Sequence, residues 1–265
     1  MRELNFEIEP LENRRMLAGN VTVDVDGRDI TIRGEGNTDQ VVLVGMQGND
    51  LRIAGLQTTV NGDDGDFLIE NADIRDLKID LRSGQSIIFL DELELDGDLD
   101  IDTRGSDDIV ALFDTAVDGE ADIRTRGGDD AIYVEGSEIN AFDINSGGGD
   151  DVVWLDNAGS GEAKIRTGGG SDGVVFAGAF LGYDEVDVRT GGGQDRVALV
   201  AHNNADVRLN GGGGSDLYLG AFLVADSIGT LDRRSFEDEG FSSSATELGF
   251  FRSRSETFFI ASSRF

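Results

Sequence analysis

Short stretches of alternating apolar and polar residues recur along most of the chain, each next to a glycine-rich turn. In "ADIRTRGGDD", Ala121, Ile123 and Thr125 share one face, while Asp122 and Arg124 lie on the other. The apolar positions are rich in Val and Ile, and a period of two with this composition is typical of half-buried β-strands, not of helices. Each unit therefore predicts two short strands joined by a glycine corner.

The glycine corner returns at a nearly constant distance. Its last aspartate is a convenient reference position and recurs as Asp108, Asp130, Asp151, Asp172, Asp195 and Asp216. Successive members are 22, 21, 21, 23 and 21 residues apart, and Ser86, Asp66 and Asp39 extend the series less regularly towards the N-terminus. Units this small cannot bury their inner faces alone and must stack. The sequence predicts an all-β parallel solenoid, a right-handed β-helix of about nine coils of ~21 residues.

Stacking of the units aligns their apolar residues in columns. The first column before the corner reads Leu99, Ala121, Phe142, Ala163, Val186 and Ala205, and the second reads Ile101, Ile123, Ile144, Ile165, Val188 and Val207. The last unit has ten residues from Asp206 to Asp216, where its neighbours have eight. This difference predicts that Leu217 and Leu219 turn inward and close the regular stack.

The two ends of the chain differ from the repeats. Residues 227–265 contain seven of the 15 phenylalanines and five arginines, which predicts a segment that caps the open end of the stack. The predicted organisation is a leader over residues 1–18, a parallel β-helix over 19–226 and a C-terminal cap over 227–265.

The overall charge excludes some partners. The chain has 53 acidic and 22 basic residues and a formal net charge of −31, which argues against nucleic acid because phosphates need a positive face. It contains no cysteine, so neither disulfides nor thiolate metal sites are available. No apolar stretch approaches the ~18 residues of a membrane helix, so we expect no transmembrane segment.

The corner aspartates are the candidate metal ligands. The predicted set comprises three pairs, Asp107 and Asp108, Asp129 and Asp130, Asp150 and Asp151, and then the single residues Asp172, Asp195 and Asp216. Carboxylates stacked at the spacing of neighbouring strands repel one another, and this repulsion must be offset. Corner amides, neighbouring arginines or bridging Ca²⁺ ions could each do so. The sequence leaves open whether the aspartates are turn residues or calcium ligands.

No arrangement typical of a catalytic site interrupts the repeats. The single histidine, His202, lies in a short connection, and neither a nucleophile elbow nor a phosphate-binding loop is present. We therefore expect no enzymatic activity, with a polysaccharide-binding or polysaccharide-cleaving β-helix as the alternative. Tyr133 and Trp154 are expected to face outward on neighbouring coils, where they would form a sugar-stacking platform or pack across strands.

The N-terminal stretch "FEIEPLENRRMLAG" resembles the LEPR-xLL leader of planctomycete exported proteins. The matching positions are Leu11, Glu12, Arg14, Arg15, Met16 and Leu17. The glycine–aspartate units resemble the β-helices that follow this leader. The resemblance implies a protein secreted or held at the cell surface, with a structural or adhesive role and a cell-envelope or extracellular polymer as its partner.

Residues 211–219, "GGGGSDLYL", also resemble the calcium-binding nonapeptide of repeats-in-toxin proteins, with Tyr218 at the apolar position. In that family the nonapeptides follow one another directly, two to a turn. Here one glycine turn recurs only every ~21 residues, so the family's ligand geometry does not transfer.

Overall fold

The computed structural model describes residues 19–36, 40–82, 84–159, 161–178, 183–199, 205–220 and 230–238. These ranges contain strands and turns but no helix, and hence no helix that could cross a membrane. The predicted leader, His202, Asp39 and most of the predicted cap lie outside the described residues.

The strands are short and follow one another closely along the chain. In the N-terminal part they are β1 (Gly19–Asp26), β2 (Asp29–Glu35), β3 (Gln40–Gln47), β4 (Asp50–Gly55), β5 (Thr58–Val60), β6 (Phe67–Ile69), β7 (Leu77–Leu81), β8 (Ser86–Asp91) and β9 (Glu94–Leu95). The central part contains β10 (Leu99–Thr103), β11 (Ile109–Phe113), β12 (Ala116–Arg124), β13 (Ala131–Glu135), β14 (Glu138–Asn145), β15 (Val152–Asp156), β16 (Gly161–Arg166) and β17 (Gly173–Ala177). The remaining strands are β18 (Tyr183–Arg189), β19 (Gly192–Gly193), β20 (Arg196–Leu199), β21 (Asp206–Asn210), β22 (Gly213–Gly214), β23 (Asp216–Gly220), β24 (Thr230–Arg234) and β25 (Phe236–Asp238).

The strands form two long sheets, because from β10 onwards the strand before each glycine corner joins one sheet and the strand after it joins the other. Sheet A has the order β24-β21-β18-β16-β14-β12-β10-β7-β2-β1-β5, with β9 beside β12. Sheet B has the order β25-β23-β20-β17-β15-β13-β11-β8-β3-β4-β6, and β19 and β22 pair separately at the glycine corner. From β7 onwards the pairing within both sheets is parallel, which confirms the predicted parallel solenoid.

The core lies between the two sheets and consists of the predicted columns. Ile101, Ile123, Ile144 and Ile165 are in direct register and are completely buried. Burying one such side chain stabilises the fold by about 1.5–3 kcal/mol. Because each residue of a column meets the same position of the next coil, the apolar contacts repeat along the stack.

The regular stack has about six turns, fewer than the nine predicted. The difference arises at the N-terminus, where β1 pairs antiparallel with β2, and β4 pairs antiparallel with both β3 and β6. Asp66 precedes β6 and binds Arg52, whereas Gln40 takes the reference position opposite Ser86. The weak signal at Asp66 therefore reflects the β4–β6 segment inserted between two coils, whereas β2 and β3 stack in parallel on β7 and β8.

The prediction for the last unit was also wrong. Val186 pairs with Val207 and not with Ala205, and Asp187 pairs with Arg208 and not with Asp206. The last unit therefore has no additional residues between the strand and its corner aspartate. Tyr218 consequently aligns with Val197 and is buried, while Leu217 and Leu219 lie half-buried on the outer face.

The stack continues beyond this unit instead of closing there. β24 pairs with β21, and β25 pairs with β23. Residues 230–238, at the start of the predicted cap, thus form another parallel rung of the solenoid.

Candidate functional site

The glycine corner brings the backbones of successive coils unusually close together. Gly149 has a φ of +132°, and a Cβ atom added there would lie 1.9 Å from the carbonyl oxygen of Gly128. Hydrogen bonds connect the coils here, such as Gly149 N–H to Gly169 O at 2.9 Å. The corner requires glycine both for its backbone conformation and for the space that a side chain would occupy.

The six reference aspartates point into the solenoid and form what we call the inner ladder. Its members are Asp108, Asp130, Asp151, Asp172, Asp195 and Asp216, and each is at most 1% exposed. Oδ1 of each residue accepts a hydrogen bond from the backbone N–H at the same position of the preceding coil, from Ser86 N–H to Asp108 at 2.7 Å through Asp195 N–H to Asp216 at 3.1 Å. These carboxyl groups satisfy amides that would otherwise be buried without a partner at the corner.

The preceding aspartates face the opposite way and form an outer ladder. Asp107, Asp129 and Asp150 are exposed. Asp129 N–H donates to Asp107 Oδ1 at 2.8 Å, and Asp150 N–H donates to Asp129 Oδ1 at 2.8 Å. Ser171 N–H completes the series by donating to Asp150 at 2.7 Å. In this ladder each carboxylate accepts a hydrogen bond from an amide of the following coil, whereas in the inner ladder it accepts one from the preceding coil.

Each predicted aspartate pair is therefore divided between the inside and the outside of the solenoid. The structure brings the nine predicted ligands into two separate columns and does not converge the two members of a pair on one point. Within the described ranges, no group of three or more His, Asp or Glu side chains is arranged to hold a metal ion. Hydrogen bonds from the corner amides, one of the three predicted possibilities, offset the repulsion between the stacked carboxylates.

The arginines predicted to interleave with the corner aspartates pair instead with carboxylates on the strands of sheet A. Arg126 binds Asp102 at 2.7 Å, Arg166 binds Asp143 at 2.6 Å, and Arg189 binds Asp187 at 2.7 Å. These contacts do not place the arginines between the corner aspartates, where they were predicted to offset the repulsion.

Burial changes the acidity of four members of the inner ladder. It raises the pKa of Asp108, Asp130 and Asp172 to about 6 and that of Asp151 to about 7. Amide and hydroxyl groups around the carboxyls offset part of this increase in pKa, and Thr167 Oγ1 donates directly to Asp172 Oδ2 at 2.6 Å. A carboxyl that cannot reach water is favoured in its neutral form. Near neutral pH these four carboxyls can therefore hold protons as well as negative charge.

A second cluster lies on the outer face of sheet B, where four aromatic side chains follow one another from coil to coil. The ring centroids are 6.5 Å apart for Phe89 and Phe113, 5.6 Å for Phe113 and Tyr133, and 6.4 Å for Tyr133 and Trp154. The prediction that Tyr133 and Trp154 are neighbours on the outside is confirmed. We call this set of four residues the aromatic strip.

The aromatic strip borders a groove of about 520 Å³ between the N-terminal hairpins and the first regular coils. Apolar atoms of Leu43, Ala54, Phe89 and Phe113 form one part of its lining, and three carboxylates, Asp91, Asp114 and Glu135, form another. The groove has the volume typical of small-ligand sites, and it combines an apolar wall with a few polar groups. Sequence reasoning missed it because its walls come from strands far apart in sequence that only the fold brings together.

Gly45 contributes to the depth of this groove. It lies opposite Asp91 in the register of β3 and β8, and a Cβ atom there would come within 3.2 Å of the Asp91 carbonyl oxygen. A glycine inside a strand often marks a place where another group approaches the backbone closely. Two of the residues beside the groove, Glu92 (φ 53°) and Asp114 (φ 44°), also adopt the left-handed conformation.

The carboxylates of this face influence one another. Burial, together with the nearby Glu92 and Asp114, raises the pKa of Asp91. Burial and the neighbouring Glu135 likewise raise the pKa of Asp156. Tyr133 Oη donates to Glu135 Oε2 at 2.8 Å. Arg52 is the one arginine or lysine among the lining residues and is paired with Asp66 at 2.7 Å, so the groove has a negative potential.

Comparisons with known proteins give no relative from which a role can be transferred. No protein family, curated protein or solved structure matches the chain.

Proposed function

We propose that the protein is an exported, non-catalytic solenoid with a structural or adhesive role at the cell envelope. The observation that supports this role best is that the most regularly repeated polar residues bind the protein's own backbone. The corner aspartates bind backbone amides of neighbouring coils, so their side chains hold the stack together. A fold whose repeated polar groups hydrogen-bond neighbouring coils is rigid, and rigidity suits a scaffold.

Cell fractionation tests this role. We expect antibodies against the protein to detect it in the envelope fraction or the medium, and purified protein to sediment with isolated envelopes. A cytoplasmic enzyme serves as the control for lysis. Retention of all the protein in the cytoplasm, together with no sedimentation on envelopes, would contradict the proposal.

Calcium binding at the corner aspartates is a further part of the proposal. The carboxylates of the outer ladder are exposed, and carboxylate oxygens are the ligands that Ca²⁺ prefers. Millimolar Ca²⁺ should raise the melting temperature relative to EDTA, and Mg²⁺ should not. If Ca²⁺ binds only the folded state, a free Ca²⁺ concentration of one hundred times Kd increases the free energy of unfolding by about 2.7 kcal/mol.

The variant Asp107→Asn/Asp129→Asn/Asp150→Asn is the matched test of the ligands. Each asparagine keeps an oxygen that can accept the amide hydrogen bond but removes a negative charge. The calcium-dependent increase in melting temperature should disappear in this variant. An equal increase in both proteins would show that the outer ladder does not hold the ion.

Polysaccharide binding is the second candidate function. The groove and the aromatic strip favour it, because sugar-binding surfaces combine aromatic side chains with polar groups that accept hydrogen bonds from hydroxyls. Binding a polymer of the envelope would also give the scaffold its point of attachment.

A further inference from the structure

We propose that the groove on sheet B binds a polysaccharide that carries amino groups, a polymer of the glucosamine type. The inference rests on the proposed adhesive role and names the chemistry that the groove recognises. It follows from the arrangement of apolar, acidic and backbone groups in and beside the groove.

The apolar part of the site extends along the solenoid axis. The four residues of the aromatic strip belong to four successive strands of sheet B, β8, β11, β13 and β15. Phe89 and Phe113 line the groove, and Tyr133 and Trp154 continue the strip beyond it. A surface of this shape fits a linear polymer, and the apolar C–H groups of sugar rings can pack on aromatic side chains.

Acidic groups lie beside and between the rings of the strip, and Phe113 occupies the register position between Asp91 and Glu135. Asp91, Glu135 and Asp156 lie at the strand position two residues after Phe89, Tyr133 and Trp154, respectively. With Asp114, they place four carboxylates along the same direction as the rings. Ammonium groups are attracted both by carboxylates and by aromatic faces. An anionic polymer would be repelled, and a neutral polymer would leave the carboxylates without a cation.

The backbone argues for a sugar polymer instead of a basic peptide. Extended peptides commonly bind by adding a strand to a free sheet edge. Around the groove, however, β3, β8, β11 and β13 are paired with neighbours on both sides. The site is a sheet face that offers side chains and no free strand edge, so the ligand must be held by its own rings and charges.

Isothermal titration with glucosamine hexamers tests the proposal. The variant Asp91→Asn/Asp114→Asn/Glu135→Gln removes three charges while preserving shape, and asparagine tolerates the left-handed conformation at position 114. We expect the variant to bind the hexamer at least tenfold more weakly than the native protein. The fully N-acetylated hexamer should bind the native protein at least tenfold more weakly than the glucosamine hexamer.

A matched control neutralises three exposed aspartates on strands of sheet A, Asp26→Asn/Asp118→Asn/Asp184→Asn. This variant has the same change in net charge and should bind the glucosamine hexamer as the native protein does. Phe113→Ala should weaken binding without altering charge. Melting curves of all variants separate a loss of affinity from a loss of fold.

Several outcomes would overturn the inference. Equal affinity of the groove variant and the control variant would show that the attraction comes from overall charge. Tighter binding of the acetylated hexamer, of polygalacturonate or of a lysine hexapeptide would assign the groove to a neutral sugar, an acidic polymer or a peptide. If the groove variant still sediments with envelopes like the native protein, the inference fails while the adhesive role stands. If neither protein sediments, the adhesive role itself is wrong.

Discussion

Gly170→Ala should lower the free energy of unfolding by at least about 3 kcal/mol, whereas Gly169→Ala, one residue earlier, should change it by no more than about 0.5 kcal/mol. Gly170 has a φ of +145°, and a Cβ atom there would lie 1.9 Å from the carbonyl oxygen of Gly149 and 2.5 Å from its carbonyl carbon. Those atoms belong to the backbone of the preceding coil and cannot rotate away. The alanine would therefore force the corner to open.

Gly169 provides a control within the same turn. A Cβ atom at this position meets nothing within 4 Å, and its φ lies outside the left-handed region. For a domain of this size, 3 kcal/mol corresponds to a decrease in melting temperature of about 6–12 °C. Thermal unfolding followed by circular dichroism distinguishes the two variants. Equal melting temperatures would mean that the close stacking of the corners does not exist in solution.

The second large effect concerns pH, since the solenoid should be more stable at pH 5 than at pH 8. In the unfolded chain an aspartate titrates near 3.9, but in the fold burial raises the pKa of Asp108, Asp130 and Asp172 to about 6 and that of Asp151 to about 7. Between pH 4 and 7 the folded state therefore holds more protons than the unfolded state. Stability must fall as pH rises through this window.

A different set of carboxyls sets the lower limit of this window. An amide hydrogen bond from Asp98 lowers the pKa of Asp76. For Asp102, burial acts in the opposite direction, but Arg126 and Arg104 lower the pKa overall. These groups stabilise the fold only while they are ionised, and this contribution is lost at acidic pH. We therefore expect the highest melting temperature between about pH 4 and 5.

Asp151→Asn isolates the effect of the inner ladder. Asparagine mimics the neutral carboxyl, because its oxygen can still accept the Asp130 amide. At pH 8 the variant should be more stable than the native protein by about 2–4 kcal/mol, and at pH 4.5 the difference should vanish. Melting temperatures measured from pH 4 to 9 would show a flatter profile for the variant.

Asp150→Asn is the matched control, because this exposed neighbour belongs to the outer ladder. It should keep the pH profile of the native protein. If Asp151→Asn destabilises the protein at pH 8 instead, the negative charge that Asp151 carries there is compensated within the corner and stabilises the fold.

The sequence was sufficient to predict the coil and its inner columns. The alternation that places Ile123 and Ile144 inside is a local property of each strand, and the structure follows it. Alternation cannot tell which member of an aspartate pair points inward, because the period of two ends where the chain turns. The repeats do contain a signal: the second position is always aspartate from Asp108 onwards, whereas the first changes to Ser171 and Gln194. Variation of this kind is typical of an exposed position.

Other features depend on contacts that no local pattern specifies. The N-terminal strands β1 to β3 show the same alternation of apolar and polar residues as the coils, so alternation does not reveal the antiparallel pairing in this part of the chain. The groove unites Leu43, Ala54, Phe89 and Glu135, which only the stacked sheet brings together. The correct alignment of Val207 with Val186 likewise depends on which part of an irregular connection enters the strand.

The opposite directions of the two aspartate ladders restrict how such coils can associate. On the C-terminal side of a coil, the inner position offers an N–H donor, as in Asp130, and the outer position offers a carboxylate acceptor, as in Asp129. On the N-terminal side these roles are exchanged. Two identical ends facing each other would oppose donor to donor and acceptor to acceptor. A head-to-tail contact between regular coils would instead continue both ladders, with each donor opposite an acceptor.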